Sequence, residues 1–338
     1  MKRIGSILHG AYGDYYEQML GLKRYKSTHS GTCLVLFFAS KARLEELRVF
    51  DLSFADEIHL ASALPNVAVD EFFQYQVRDR ELRAEVLAGL PESLLAKIDP
   101  ERQRKPWTTI RAMNPRDPAN DVGLSDYGRE RLPACMEGNG IDPGLFDRRF
   151  TVGFLWRYRT AGGAVSSSMQ TPEEEVRRTK GELLAQLTSR YGAHILVCGM
   201  NVKVTEENRT RVDAKFTDRT LDLDPDHSTY LKGLSWGLEL EILRRCSLCI
   251  VMPSGFSEAL WIKRSGPTLL VDPPPHYLAK LLWNRMSLFD IRSPAQLLFQ
   301  WRQPHTAERV LRFLETRSLL PVQRPAPPRA VETPGRVS

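Results

Sequence analysis

Near each end of the chain, an apolar stretch runs into a turn of small residues and then into a helix. The later tract is apolar at 250–252 and continues as Pro-Ser-Gly-Phe-Ser-Glu at 253–258. The earlier tract is mostly apolar at 4–8 and continues as His-Gly-Ala-Tyr-Gly-Asp at 9–14. Such a turn leaves free backbone N–H groups at the helix start, where the helix dipole favours anions and above all phosphates. Two such sites predict two Rossmann-like halves that face each other.

The predicted strands are continuous apolar runs, which are typical of parallel sheets covered by helices on both faces. We predict strands at 3–8, 33–38, 57–60, 150–156, 194–199 and 250–252. We predict helices at 14–25, 41–49, 70–87, 171–191, 232–245 and 306–317. This alternation of strands and helices indicates an α/β fold.

Residues 99–148 differ from the rest in being rich in Pro and Gly, with one short helix predicted around 125–131. A loop-rich stretch of this length is typical of a linker or a functional insertion. We therefore predict an N-terminal Rossmann-like domain at 1–148, which ends in this insertion, and a C-terminal Rossmann-like domain at 149–320. The last residues, 321–338, form a Pro/Arg-rich tail that we expect to be disordered.

The composition, with 42% hydrophobic and 26% charged residues, is that of a globular protein. No apolar run approaches the roughly 20 residues that a membrane helix needs, and we expect a cytoplasmic protein. The net charge of +6 comes from arginines spread along the chain. An anionic small substrate or an anionic lipid explains this charge as well as nucleic acid does. We expect no nucleic-acid partner, and the charge is compatible with peripheral contact with a membrane.

The turn at 9–14, with the strand before it and the helix after it, resembles the opening turn of GT-B glycosyltransferases of the heptosyltransferase type. Residues 231–268 resemble that family's C-terminal stretch, where a helix leads to a strand, an Asp-Ser-Gly turn, a short helix and a small-Pro-Thr strand. The sequence departs from the family in its long middle loop and at two positions of the C-terminal stretch. Pro253 stands where the family has Asp, and the His usual in the following helix is replaced in the region of Glu258.

This resemblance implies two Rossmann-like domains whose parallel sheets face a central cleft. It also implies a metal-independent glycosyltransferase that moves a sugar from a nucleotide-sugar donor to an acceptor hydroxyl. The acceptor is a glycan, a lipid-linked molecule or a small molecule. The nucleotide sugar is then a substrate, and we expect no cofactor and no bound metal.

Glycosyl transfer needs a base on the acceptor hydroxyl, and Asp14 is our candidate because it follows the glycine turn at the mouth of the first sheet. The alternative for Asp14 is a helix N-cap, since Asp is a preferred cap residue. His9 is the second candidate base. A lone His at a strand end is more often structural or substrate-binding, and this alternative stays open for His9.

Arg157 and Arg159 follow the first strand of the second half, where ligands meet open α/β sheets. Alternation along the strand places both on one side of it. A fork-shaped guanidinium suits the departing diphosphate of a nucleotide sugar. The alternative for both residues is a surface or interdomain ion pair.

The later turn supplies four further candidates for the donor. Ser254, Gly255 and Ser257 bind phosphate or sugar through backbone N–H groups and hydroxyls in this hypothesis, and a plain helix cap is their alternative. Glu258 accepts hydrogen bonds from ribose or sugar hydroxyls. An ordinary acid in the first turn of a helix explains Glu258 equally well.

Five more residues complete the predicted donor and substrate contacts. Gly10 and Gly13 belong to the first turn, whose free backbone N–H groups favour an anion. Gly199, Asn201 and Lys203 end a predicted strand of the second sheet, where they border the pocket for the nucleotide base.

Two other motifs give weaker indications of function. Residues 222–226 contain the Asp-x-Asp pattern of metal-dependent glycosyltransferases, but they lie in a polar loop and chance explains them. Cys246 and Cys249 have no second pair at zinc spacing, so we interpret them as buried thiols.

Two other functions fit the same fold. One is a nucleotide-sugar epimerase, and the other is a non-catalytic binding or scaffolding protein, which the loss of the family's Asp and His favours.

Overall fold

The computed structural model describes the chain in thirteen ranges, and for some helix and strand residues it describes the backbone alone. The ranges are 1–8, 12–38, 40–72, 121–155, 173–198, 200–204, 211–215, 223–232, 234–251, 259–260, 266–271, 296–299 and 306–321. All statements about structure below concern these residues.

Four parallel strands form the sheet of the N-terminal half. They are β1 (Lys2–Leu8), β2 (Thr32–Phe38), β3 (Glu57–Leu60) and β4 (Glu71–Phe72). Their order across the sheet is β3-β2-β1-β4. Ile4 of β1 is in register with Leu34 of β2 and with Glu71 of β4. β1 and β2 are buried along most of their length, which explains why their sequences are largely apolar.

The described part of the N-terminal half also contains four α-helices, two that follow strands of the sheet and two in the stretch at 121–148. They are α1 (Tyr12–Thr28), α2 (Lys41–Leu47), α3 (Asp126–Glu137) and α4 (Leu145–Arg148), with a short 3₁₀ helix at Ala61–Asn66. Serines begin two of them. The Ser40 hydroxyl accepts a hydrogen bond from the Arg43 N–H at 3.3 Å, and the Ser125 hydroxyl accepts one from the Gly128 N–H at 3.1 Å. These caps satisfy backbone donors that have no partner within the helix.

The C-terminal half contributes eight strands and three α-helices of known bounds to the described structure. The strands are β5 (Thr151–Leu155), β6 (His194–Cys198), β7 (Met200–Val204), β8 (Arg211–Lys215), β9 (Ser228–Tyr230), β10 (Leu248–Val251), β11 (Thr268–Val271) and β12 (Gln296–Phe299). The helices are α5 (Glu173–Tyr191), α6 (Trp236–Arg244) and α7 (Thr306–Thr316). Six strands form one parallel sheet in the order β12-β11-β10-β5-β6-β9, while β7 and β8 pair with each other as an antiparallel hairpin.

Alternate residues of the six-stranded sheet face two different apolar clusters. Phe154, Val197 and Ile250 lie in a cluster with α5 and α7, to which Leu187 and Leu311 belong. The opposite face carries the neighbouring residues along the same strands. These are Leu155, Leu196, Cys198, Cys249, Val251 and Leu270.

That opposite face shares one cluster with the N-terminal half. Ile4 of β1, Leu36 of β2 and Tyr16 of α1 belong to the same contiguous group of buried side chains as Trp236 and Leu243 of α6. The cluster therefore joins the two sheets through a common apolar layer.

Helix α6 lies inside this layer and is buried from Trp236 to Leu243, including Glu239 and Glu241. A helix that is buried on all sides is enclosed by other elements rather than lying on the surface. Its contact with the second sheet is close, because a Cβ added to Gly153 of β5 would lie 2.8 Å from Leu243 Cδ2.

The helix predicted at 70–87 needs correction, because the chain forms strand β4 at its start. Phe72 packs over Gly5 of β1, and a Cβ added to Gly5 would meet the Phe72 ring at 2.7 Å. Pairing with β1 and burial of this ring outweigh the helical spacing of the local sequence. The rest of the predicted helix lies outside the described residues.

The bounds of several other helices also differ from the prediction, and three of these differences are the largest. The short helix predicted around 125–131 extends to Glu137 as α3, and α4 follows in the stretch predicted to be loop-rich. α1 is longer than predicted at both ends. α6 begins at Trp236 rather than at Lys232, because Ser235 has an extended backbone at the cap position.

Three further predictions concern the cysteines, the domain boundary and membrane-spanning segments. Cys246 and Cys249 are buried and unbridged, as predicted. The domain boundary at 148/149 falls between α4 and β5 and stays a prediction. In the part of the chain that the structure describes, we find no helix with the length and apolar character needed to cross a membrane.

Candidate functional site

The strand order of the second sheet gives a candidate location for a ligand site. From β5 the chain adds β6 and β9 on one side, and it then crosses over to add β10, β11 and β12 on the other side. The direction of winding therefore reverses between β5 and β10. In open parallel sheets, ligands bind at the carboxyl ends of the strands beside such a reversal.

Two of the predicted donor segments begin at this point. Phe154 is in register with Ile250, so the ends of β5 and β10 lie side by side. Arg157 and Arg159 are the second and fourth residues after β5, and Ser254 is the third residue after β10.

The turn after β10 is followed by a helix, as predicted. Ala259 and Leu260 are helical and fully buried, and the chain returns to the sheet at Thr268 as β11. The turn residues themselves lie outside the described part of the chain, and so does the arginine segment. The roles assigned to the following residues therefore stay predictions: Arg157, Arg159, Ser254, Gly255, Ser257 and Glu258.

The first sheet reverses its winding in the same way. The chain passes from β1 through α1 to β2 on one side, and it adds β4 on the other side of β1. The predicted first turn leaves β1 at this reversal. His9 and Gly10 lie outside the described residues. Gly13 and Asp14 lie in the first turn of α1, at the carboxyl edge of the first sheet.

The bounds of α1 bear on the alternative interpretation of Asp14. The helix begins at Tyr12, so Asp14 is its third residue rather than the residue that precedes it. An N-cap residue has a non-helical backbone and lies just before the first turn. The backbone position of Asp14 therefore does not match a cap, and the role of base stays a prediction.

The prediction for the end of β6 is wrong in one respect. Asn201 and Lys203 were expected at the end of a strand of the six-stranded sheet, but both lie in β7 of the antiparallel hairpin, opposite Ala214 and Val212. Polar and apolar residues alternate along β7, as is typical of antiparallel strands with unlike faces, and this alternation separates β7 from the apolar β6. Gly199, between the two strands, lies outside the described residues.

The hairpin nevertheless begins at the carboxyl edge of the second sheet, since β7 starts two residues after Cys198 ends β6. β6 is the direct neighbour of β5. The chain therefore leaves β6 at the same edge at which the predicted donor segments leave β5 and β10.

The Asp-x-Asp pattern is partly explained by local structure. Asp224 caps the 3₁₀ helix Pro225–His227, where its Oδ1 accepts a hydrogen bond from the Asp226 N–H at 2.9 Å. Its Oδ2 lies 2.9 Å from His227 Nδ1. These hydrogen bonds lower the pKa of Asp224. Within the described ranges, no group of three or more His, Cys, Asp or Glu residues is placed to hold a metal ion.

A polar contact that no local sequence pattern marks joins the two halves. The hydroxyl of Tyr16, in α1, donates a hydrogen bond to Asp121 Oδ1 at 2.7 Å. Arg244, at the end of α6, donates to the other carboxylate oxygen, Oδ2, at 3.1 Å. The Lys23 ammonium also donates to the backbone carbonyl of Asp121 at 2.6 Å. Asp121 is thus held by α1 from the first half and by α6 from the second.

The Tyr16 side chain is fully buried, and this defines its protonation state. Burial, reinforced by the charge of Asp121, raises the pKa of the Tyr16 hydroxyl well above its ordinary range. The hydroxyl therefore stays protonated and remains a hydrogen-bond donor to the carboxylate. Nothing local in the sequence marks this contact, because Tyr16 and Asp121 are 105 residues apart.

The other end of α6 also contacts the first half. The rings of Trp236 and Phe50 lie 4.9 Å apart between centroids, and Phe50 in turn packs edge-on against Tyr16 at 5.8 Å. A Cβ added to Gly237 would lie only 2.4 Å from Val49 Cγ2. Helix α6 thus contacts the N-terminal half at both its ends.

Comparison with known proteins identifies the fold. No family model and no curated protein matches the chain in sequence. A glycosyl transferase family 9 protein from Veillonella parvula DSM 2008 superimposes with a TM-score of 0.53 at 12% identity, covering 93% of this chain and 96% of that one. ADP-heptose LPS heptosyltransferase II from E. coli superimposes with a TM-score of 0.50 at 13% identity, covering 94% and 98% of the two chains.

At these identities the similarity establishes the fold. It spans nearly the whole of both chains, and this chain has two parallel sheets. The expectation drawn from the sequence is confirmed: the chain has the GT-B fold of two Rossmann-like domains.

Proposed function

We propose that this protein is a metal-independent glycosyltransferase, which moves a sugar from a nucleotide-sugar donor to an acceptor hydroxyl. The donor binds at the carboxyl edge of the six-stranded sheet, and the acceptor binds against the N-terminal half. The acceptor belongs to one of the three classes named above: a glycan, a lipid-linked molecule or a small molecule.

The observation that carries the proposal is the strand order of the second sheet. It puts the ends of β5 and β10 side by side at the reversal of winding. The two segments that the sequence marks as diphosphate ligands leave the sheet from these two ends, one with Arg157 and Arg159 and one with the Pro-Ser-Gly turn. Guanidinium groups and free N–H groups at one ligand-binding edge suit a departing diphosphate.

The chemistry of glycosyl transfer assigns a role to each group of candidate residues. The leaving diphosphate gains charge in the transition state, and donors and cationic groups that are already in place stabilise that charge. Asp14, at the carboxyl edge of the first sheet, takes the proton from the acceptor hydroxyl. In this mechanism the arginines and backbone N–H groups take the part that a divalent cation plays in metal-dependent enzymes.

The test is binding and transfer in the presence of EDTA. Thermal-shift measurements with the common nucleoside diphosphates should show stabilisation by one of them that EDTA does not abolish. The matching nucleotide sugar should then lose its sugar to an acceptor from a panel of glycans, lipid-linked sugars and small molecules. Arg157→Ala and Arg159→Ala should weaken nucleotide binding and also slow transfer.

Arg148→Ala is the matched control, because Arg148 lies before β5, at the opposite end of the strand, in an exposed pair with Asp142. No response to any nucleotide would count strongly against the proposal. Interconversion of a free nucleotide sugar without an acceptor would assign the epimerase instead. Nucleotide binding without either reaction would assign the non-catalytic role.

A further inference from the structure

The contact of Tyr16, Asp121 and Arg244, which we call the interdomain contact, connects two elements that lead to the candidate site. Tyr16 is two residues from Asp14 on the same helix. Arg244 ends α6, and after three further residues the chain enters β10, whose far end leads to the predicted phosphate turn. Both oxygens of one carboxylate are therefore engaged, one from the helix of the base and one from the helix that precedes the donor strand.

The packing of α6 supports this contact, although the Arg244 side chain itself is 42% exposed. α6 is buried along most of its length, and its first turn packs on Val49 and Phe50 of the N-terminal half. Asp121 is held to α1 by the buried Tyr16 hydroxyl and by Lys23, so a shift of α6 against α1 would break the pair of Asp121 with Arg244. The contact thus ties the relative position of α1 and α6 to one geometry.

We propose that Tyr16, Asp121 and Arg244 are positioning residues for the transfer reaction: they fix the first turn of α1, with Asp14, relative to the donor strand β10. This inference rests on the proposed function. It assigns to the contact an effect on the reaction step rather than on donor binding, since the proposed donor site is built within the second half.

The chain contains a second contact of the same chemistry that serves as a control. The Tyr191 hydroxyl donates to Glu315 Oε1, and Arg190 donates to the same oxygen at 2.7 Å. Tyr191 is buried, as Tyr16 is. This contact joins α5 to α7 within the second half, so its loss leaves the placement of the two halves unchanged.

The first experiment compares Tyr16→Phe with Tyr191→Phe, at a temperature well below the unfolding of each variant. Misplacement by about 1 Å costs on the order of 10²-fold in rate, so Tyr16→Phe should lower kcat by about 10-fold or more. Its KM for the nucleotide sugar and its Kd for the nucleoside diphosphate should stay close to the wild-type values. Tyr191→Phe should lower thermal stability to a similar extent and leave kcat unchanged.

Arg244 provides the test of coupling. Arg244→Ala should lower kcat in the same direction, and the double variant with Tyr16→Phe should be no slower than the slower single variant, because both act through Asp121. Arg244→Lys keeps a cation near Asp121 and should recover most of the activity. Additive losses in the double variant, or an unchanged kcat in Tyr16→Phe, would overturn the proposal.

A second readout does not depend on activity. Spin labels at Lys41→Cys and Thr316→Cys, both exposed and one in each half, report the distance between the halves. Cys135→Ser removes the one partly exposed native thiol, and the other four cysteines are buried. The double variant of Tyr16 and Arg244 should broaden or shift the measured distance distribution, whereas Tyr191→Phe should not.

Transfer activity and label distances together show which proposal fails, the proposed function or the role of the interdomain contact. A wild-type protein without transfer activity would remove the proposed function, and the label distances would still test the interdomain contact. Unchanged distances in the Tyr16 and Arg244 variants would show that the contact does not hold the halves. Changed distances with a normal kcat would show that it holds them without positioning the reaction.

Discussion

At the scale of single residues, a variant of Asp14 distinguishes a catalytic role of this residue from a structural one. Asp14→Asn keeps the shape of the side chain but cannot accept a proton. If Asp14 is the base, turnover should fall on the order of 10²–10⁴-fold, because that is the usual contribution of general acid–base catalysis. Nucleotide binding should stay nearly unchanged, since the proposed donor site lies in the other half. Steady-state kcat and the Kd of the nucleoside diphosphate measure the two effects.

The competing explanation predicts a different result. An acid in the first turn of a helix interacts favourably with the helix dipole, so an architectural Asp14 would show a small loss of stability and a normal rate. Full activity in Asp14→Asn would remove Asp14 from the catalytic residues and transfer the role of base to His9. His9→Gln would then be the variant to measure.

Glu57 makes a prediction about acid stability. Its carboxylate lies 2.7 Å from Arg3 Nη1 and 2.9 Å from His59 Nε2, and these partners hold the pKa of Glu57 at about 2, against an ordinary 4.5. The charged form is therefore favoured in the folded protein. Its contribution is present above about pH 4.5 and is lost as the pH falls from there towards 2. Urea unfolding across this range should show a fall in the free energy of unfolding that is smaller in Glu57→Gln.

Glu71 supplies the comparison for Glu57. It pairs with Lys2 at 2.7 Å, but more than half of both side chains is exposed. Exposed pairs contribute little, so Glu71→Gln should follow the wild-type acid profile. Identical profiles for Glu57→Gln and the wild type would show that the pairs with Arg3 and His59 do not stabilise the fold.

At the scale of elements, sequence reasoning succeeds where burial follows from the strand itself. β1, β5 and β6 lie within about a residue of their predicted bounds, because each is a short, mostly apolar run between turns. β4 was missed because its cause is distant in sequence. Phe72 covers Gly5 of β1, and only the folded chain brings the two together.

Two glycines within helices show how tertiary packing reverses a local rule. Gly in a helix interior normally costs about 0.5–1 kcal/mol relative to Ala. Nothing lies within 4 Å of a Cβ added to Gly181 in α5, so Gly181→Ala should raise the free energy of unfolding by about that amount. A Cβ on Gly237 in α6 would overlap Val49 and approach Phe50 at 3.1 Å, so Gly237→Ala should lower it by about 1–3 kcal/mol.

Urea unfolding of the two variants under identical conditions measures both signs. The pair is matched because the chemical change and the secondary structure are the same. Stabilisation by Gly237→Ala would mean that α6 is not pressed against the N-terminal half as described. It would also weaken the basis of the interdomain contact, which depends on the same packing.

At the scale of the whole molecule, the strands that lead to the predicted site could be found from the sequence, but the way they are joined could not. The small-residue turns and the arginine segment each follow a strand directly, and that pattern is local. The strand order that brings β5 beside β10 and the contact of Tyr16 with Asp121 are pairings across long stretches of chain. No periodicity or motif encodes them, so they appear only in the structure.

The shared apolar layer leads to a prediction about unfolding. Because one cluster runs from Ile4 in β1 through Trp236 to Leu270 in β11, the two halves should unfold together, in a single calorimetric transition with equal calorimetric and van't Hoff enthalpies. Trp236→Ala should cost about 3–5 kcal/mol and divide the transition in two, because it opens a cavity between the halves. Leu187→Ala, within the second half, should cost about 2–5 kcal/mol and keep one transition. Two transitions in the wild type would show that the layer does not couple the halves.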